Sequence, residues 1–211
     1  GEDKIVFSGD ISNSPKIKGG ANADVFDFQG TVTGSSVYGG KAADSIKFGR
    51  TISGSFISAD TGSDTITINN KVISKSLVDG GEDDDLITIN ERVSESTISG
   101  GGAQDTIDIN DNSDSAVIKL GAANDVLTIT GKHGSSTAKG NAGDDTITVE
   151  SGFSGSSNEF YGGKGEDNLI LESVAKVTLI GDKDDDTLSV AADLASDGAT
   201  LKGGDGNDTV S

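Results

Sequence analysis

Lys202-Gly203-Gly204-Asp205-Gly206-Asn207-Asp208-Thr209-Val210 reads, from Gly203 onward, as Gly-Gly-x-Gly-x-Asp-x-(apolar). Moving back along the chain, Asp208 has counterparts at Asp186, Asp167, Asp145, Asp125, Asp105, Asp85, Asp64, Asp44, Asp24 and Asp3. From Asp3 onward the steps are 21, 20, 20, 21, 20, 20, 20, 22, 19 and 22 residues. Self-similarity at one fixed period over the full length is the signature of a repeat architecture, in which each unit buries its apolar face only by stacking on its neighbours.

With the aspartate numbered position 6, positions 8 and 10 form apolar columns. The first runs Phe26, Ile46, Ile66, Ile87, Ile107, Leu127, Ile147, Leu169, Leu188, Val210, and the second Phe28, Phe48, Ile68, Ile89, Ile109, Ile129, Val149, Leu171, Val190. Two apolar residues separated by one are strand alternation. A third column lies eight residues after the aspartate (Ile11, Val32, Ile52, Val72, Val93, Ser113, His133, Phe153, Ala175, Leu194). The fourth lies seven before it (Ile17, Val37, Ile57, Val78, Ile98, Ile118, Ala138, Phe160, Leu179, Leu201). One coil is then a strand, a polar corner such as Thr33-Gly34-Ser35-Ser36, a second strand and a glycine turn. The expected fold is all-β: a right-handed parallel β-solenoid of about ten coils, without helices, forming one continuous unit over residues 1–211. Stacking at roughly 4.8 Å per coil gives a length of about 48 Å. Longer coils around residues 151–157 and 193–198 are expected to bulge from the surface.

The composition agrees with a thin-cored solenoid. Glycine supplies 31 of 211 residues, aromatics only 4%, and Trp, Met and Cys are absent. Apolar residues at fixed positions argue against a disordered acidic tail. A net charge of -19 disfavours nucleic acid and anionic membrane as partners, because both need positive charge, and favours cations. No apolar run is long enough to span a membrane. The chain begins and stops within a repeat, so it reads as a fragment or processed unit, and end-to-end association with other copies or adjoining repeats is expected.

Positions 1 and 2 are Gly-Gly in most coils, and position 2 departs only to Asp60, Asn141 and Asp182, residues that tolerate positive φ. Position 6 is Asp in every copy. Stacked one strand spacing apart, neighbouring carboxylates repel by roughly 1 kcal/mol in water and by several at an effective dielectric of about 20. Asp24, Asp44, Asp64, Asp85, Asp105, Asp125, Asp145, Asp167, Asp186 and Asp208 are therefore candidate ligands of Ca²⁺, a hard cation that takes carboxylate and carbonyl oxygens. The alternative is a metal-free ladder of Asx-turn hydrogen bonds. Asp193, at a polar corner, is expected to take no part.

Gly203 to Val210, Gly162-Gly163-Lys164-Gly165-Glu166-Asp167 and Gly140-Asn141-Ala142-Gly143-Asp144-Asp145 resemble the RTX (repeats-in-toxin) nonapeptide. The resemblance implies a parallel β-roll in a secreted bacterial protein, with Ca²⁺ held between successive turns by the position-6 aspartates and turn carbonyls. RTX repeats occur in toxins, proteases, lipases, adhesins and surface-layer proteins. The chain departs from the family where position 4 is Asn22, Ala42, Asp83, Ala103, Ala123 or Asp184, and in having one glycine turn per coil of about 20 residues. Calcium would then line one edge only.

Other chemistry has little support. His133 is the only histidine and falls in an inward column opposite Ser113, which reads as a corner filler. No Gly-x-Ser-x-Gly elbow exists, and the acidic residues offer no unique pair for glycosidase chemistry. Thr65/Thr67 and Thr146/Thr148 form outward Thr-x-Thr pairs, but Val25/Asp27, Ser45/Lys47 and Asn168/Ile170 break any ice-ordering array, leaving ordinary β-propensity. The expected role is a non-enzymatic, calcium-binding structural segment of an extracellular or cell-surface protein such as a surface layer, adhesin stalk or fibre. The alternative is an RTX export and folding module of a secreted toxin or hydrolase.

Overall fold

The computed structural model describes residues 1–154, 157–172, 177–190 and 198–211. Among them the only regular elements are β-strands, in three parallel sheets. The long sheet has 11 strands, from Lys4–Phe7 and Val25–Phe28 to Thr209–Val210, and carries positions 8 and 10 on its inner face. The turn sheet has 10 strands, from Lys16–Gly20 to Thr200–Asp205, and runs into the glycine turn. A third sheet of 7 two-residue strands, from Val32–Thr33 to Phe153–Ser154, occupies the corner between them.

The coil therefore has three straight sides where the alternation pattern predicts two. A two-residue strand holds a single inward side chain, too little to show a period of two, so the third column reads in the sequence as an isolated apolar residue beside a polar corner. Strands pair in register from coil to coil, as in Phe26↔Ile46, Ile46↔Ile66 and Ile66↔Ile87, so each column becomes a continuous rung stack. Among the described residues the four apolar columns face inward, from Ile11, Val32 and Val37 through Ile118 and Leu127 to Leu179 and Leu188, except that Val210, in the last coil with no rung stacked beyond it, is exposed. Each fully buried Ile, Leu or Phe rung contributes roughly 1.5–3 kcal/mol by removal from water. Near the start of the stack Phe7, Phe28 and Phe48 lie face to face, with centroids 5.3 and 4.8 Å apart.

Polar ladders accompany the apolar ones. Nine residues before each aspartate from Asp44 to Asp145 stands a buried small residue: Ser35, Ser55, Ser76, Ser96, Ala116 and Ser136. The hydroxyls of Ser55, Ser76, Ser96 and Ser136 accept backbone N–H groups from the preceding coil, as in Ser35 N–H to Ser55 Oγ and Ala116 N–H to Ser136 Oγ. On the outside, Asn110 Nδ2 donates to Asn90 Oδ1 and Asn90 Nδ2 to Asn69 Oδ1, both at 2.9 Å, the stacked amide arrangement that in-register parallel strands permit. His133 and Ser113 pair as the column predicts: they sit in register in the corner sheet, fully buried, with Ser113 Oγ bonded to His133 Nδ1. Burial pushes the imidazole down to about 4, and its ring packs on Phe153 and Phe160. Residues 155–156 and 191–197, within or beside the predicted bulges, lie outside the described residues, as do Ala175, Leu194 and Asp193 of the sequence reading.

Candidate metal centre

The glycine turn joins the turn sheet to the long sheet. Position 2 has positive φ in every coil, from +77° at Asp60 to +138° at Gly121, as its Gly/Asn/Asp composition predicts. Position 4 has it too, at Ala42, Asp83, Ala103, Ala123 and Asp184 as well as at its glycines. The αL region is costly for a residue with a Cβ, so the alanines sit in a strained conformation that the rest of the turn imposes.

This turn sends the position-6 side chain inward. Nine of the ten candidate aspartates, Asp24 to Asp186, are 1–4% exposed; Asp208 is half-buried. Each carboxylate bonds to the coil before it. The backbone N–H of Asp3 donates to Asp24 Oδ1, that of Asp24 to Asp44 Oδ1, and so on through ten bonds to Asp186 N–H and Asp208 Oδ1, at 2.5–3.0 Å. An inward aspartate in every coil thus satisfies a buried backbone donor that would otherwise be orphaned at the exit of the turn. Position 5 builds a second, exposed ladder in the opposite sense, as in Gln104 N–H to Asp84 Oδ1 and Glu166 N–H to Asp144 Oδ1.

The second carboxylate oxygen is different. Oδ2 of Asp24, Asp44, Asp64, Asp85, Asp105, Asp125, Asp145, Asp167 and Asp186 is buried without a hydrogen-bond partner. It lies against position 1 of its own turn: a Cβ added at Gly19, Gly39, Gly80, Gly100, Gly140 or Gly181 would collide both with this oxygen and with the position-1 carbonyl oxygen of the next coil. The strand register of the turn sheet skips position 1 at each step, pairing Tyr38↔Ser58 and then Gly40↔Asp60. Two coils differ. Ala59 and Leu120 occupy position 1, fully buried, and place side-chain carbon beside Asp64 and Asp125.

Two acceptors facing each other in a buried place require a proton or a cation. Desolvation, the largest cause, pushes Asp85 up to about 8, Asp64, Asp105, Asp145 and Asp167 to about 7, and Asp125 to about 6; it also raises Asp44 and Asp186. The donated N–H opposes this in every case, and for all but Asp125 neighbouring aspartates add to it. No family model matches the chain, and no curated protein or solved structure matches it.

The donors fit calcium in kind, being carboxylate and carbonyl oxygens only. Among the described residues no three Asp, Glu or His side chains converge on one point, so successive aspartates and position-1 carbonyls would have to share the task. The inward pointing of the aspartates and the close approach at position 1 are absent from the sequence reading, and its metal-free alternative expected hydrogen bonds within an Asx turn, whereas each carboxylate accepts an N–H from the preceding coil. The only signal for them is that position 1 is Gly wherever it is not Ala59 or Leu120.

Proposed function

We propose that the chain is a calcium-stabilised structural segment of an extracellular or cell-surface protein, a divergent relative of the RTX β-roll serving in a surface layer, adhesin stalk or fibre. The observation that carries this reading is the row of nine buried, unpartnered Oδ2 atoms along a single edge, in a chain of net charge -19. An unpaired buried carboxylate oxygen is costly, and a column of them invites a hard cation. The oxygens that would hold calcium are Oδ2 of successive position-6 aspartates and the position-1 carbonyls. Once bound, the ion supplies positive charge between carboxylates that otherwise repel. Partners in this reading are calcium and further coils of the same kind, joined end to end. The reading includes no catalysis, since the edge repeats one arrangement and the only histidine is buried in the opposite corner. A role as export module of a secreted toxin or hydrolase uses the same edge, and a catalytic domain elsewhere in the gene product would favour it.

A second reading rests on the same geometry. Neutral carboxyl groups could accept the N–H at Oδ1 and donate from Oδ2 to the facing carbonyl, leaving no need for metal. Thermal melting followed by circular dichroism, with calcium and with excess chelator at neutral pH, separates the two. Calcium at about 100 times its dissociation constant stabilises the fold by about 2.7 kcal/mol per site. An identical transition in chelator, with no calcium bound at equilibrium dialysis, would remove the calcium reading and leave the neutral ladder.

A further inference from the structure

The outer face of the turn sheet carries two open clefts, of about 430 and 460 Å³, within the range of roughly 300–1,000 Å³ that holds small ligands. They are the same constellation twice. In the first, Lys18 sits in register with Tyr38, Lys41 follows three residues on, and Gly40 pairs with Asp60. In the second, Lys139 sits in register with Tyr161, Lys164 follows three residues on, and Gly163 pairs with Asp182. These are the only two tyrosines in the chain. The fold does not require them, because other coils hold Ser58, Asp79, Ser99, Lys119 or Ile180 at that position.

Each cleft presents the same chemistry. The bare position-2 glycine forms a backbone floor, the tyrosine one wall, and lysines the rim. Lys18 Nζ lies 5.2 Å from the Tyr38 ring centroid and Lys139 Nζ 5.2 Å from that of Tyr161, so the ring holds an ammonium at the mouth. Although the chain has 35 acidic residues, none of these lysines forms an ion pair; among the described residues the one salt bridge is Arg92–Asp114. Asp60 or Asp182 in the next coil provides an acceptor for a hydroxyl group. An ammonium pair for one carboxylate, an acceptor for hydroxyls and an aromatic wall for C–H groups together suit an acidic sugar. The clefts are six coils apart, about 29 Å at roughly 4.8 Å per coil, and Asp79 and Glu82 lie between them on the same sheet. That acidic stretch and the charge of the whole chain disfavour a continuous polyanion and leave a ligand with an isolated charge.

We propose that the two tyrosine–lysine clefts bind glycans bearing a single carboxylated sugar, one at each cleft. This goes beyond the calcium reading and does not depend on it, so the test is run in calcium and again in chelator under conditions where circular dichroism shows the chain folded. Calorimetric titration with sialyllactose, a trisaccharide with one carboxylate, should show two weak sites per chain. Lactose should not bind, and a heparin oligosaccharide should bind no better than sialyllactose. Lys164→Gln combined with Lys139→Gln should weaken one site about tenfold or more, the loss expected for hydrogen bonds to a charged group, and Tyr38→Ala should weaken the other. The proposal is overturned by any of four results: no saturable binding at millimolar sialyllactose, equal binding of lactose, tighter binding of heparin, or unchanged affinity in folded variants.

Discussion

Replacing one inward aspartate by asparagine and by alanine separates the three roles that position 6 combines. Asp85 accepts the Asp64 N–H at 2.8 Å, donates its own N–H to Asp105 Oδ1 at 2.9 Å, and leaves Oδ2 beside Gly80 and the Gly100 carbonyl. Asp85→Asn keeps the Oδ1 acceptor, removes the charge and puts an amide N–H where Oδ2 faced a carbonyl. Asp85→Ala removes the acceptor and leaves the buried Asp64 N–H unpaired, a loss of about 1–3 kcal/mol. The aspartate itself titrates near pH 8 in the folded chain. In chelator at pH 6 it is protonated, and Asp85→Asn should melt with the parent. At pH 9 the parent must hold a charge flanked by Asp64 and Asp105, each neighbour repelling by roughly 1 to several kcal/mol. Allowing for relaxation, Asp85→Asn should then be more stable by about 2 kcal/mol, or about 4–8 °C for a chain of this size. Asp85→Ala should melt below Asp85→Asn at both pH values. In saturating calcium the order inverts, because Asp85→Asn loses a ligand charge while the parent keeps it. The assay is thermal melting by circular dichroism over this grid of conditions. Equal destabilisation by both substitutions at every pH would refute the hydrogen-bond role. A lower melting point for Asp85→Asn than for the parent at pH 9 in chelator would refute the repulsion argument.

In chelator, the parent's melting temperature should fall as pH rises. The folded carboxyls titrate near 6–8 against about 3.9 when unfolded, so the folded state holds more protons in that window. Their contribution is complete below about pH 4 and is lost by about pH 8; a flat profile between pH 5 and 8 would contradict it. Gly140→Ala should destabilise the chain by about 1–3 kcal/mol and reduce calcium uptake by equilibrium dialysis, because the new Cβ meets Asp145 Oδ2 and the Gly162 carbonyl. Ala42→Gly, Ala103→Gly and Ala123→Gly, at φ of +70°, +64° and +75°, should each raise stability in denaturant titrations by up to about 1 kcal/mol. Calcium uptake at the Asp125 step should be weaker than at Asp145, since buried Leu120 fills position 1 there; Leu120→Gly should restore it.

The period of the aspartates and the four apolar columns make the solenoid legible in the sequence, because in-register stacking converts sequence period directly into contact. The corner sheet was hidden by its length: Ile52–Ser53 and Val72–Ile73 offer one buried residue each. The left-handed turn could be inferred from Asp60, Asn141 and Asp182 at position 2. Position 4 gave no such signal, since Ala42, Ala103 and Ala123 adopt positive φ under constraint from their neighbours although alanine does not favour it. The direction of the aspartates was not legible at all. A charged residue in an acidic chain is by default read as facing solvent or an ion, and only the coil-to-coil N–H bonds show that these side chains belong to the interior.

Because the sheet hydrogen bonds run from coil to coil, the stack has an uneven response to force. Tension along its axis loads the strands across their length, so a terminal coil can peel away one rung at a time while those beneath stay intact. A coil of about 20 residues stretches to roughly 65–70 Å, against about 4.8 Å that it occupied in the stack. Each released coil therefore yields slack more than tenfold its folded length. A stack made this way would yield gradually under a sudden pull, where a segment that unfolds all at once would give way in a single step.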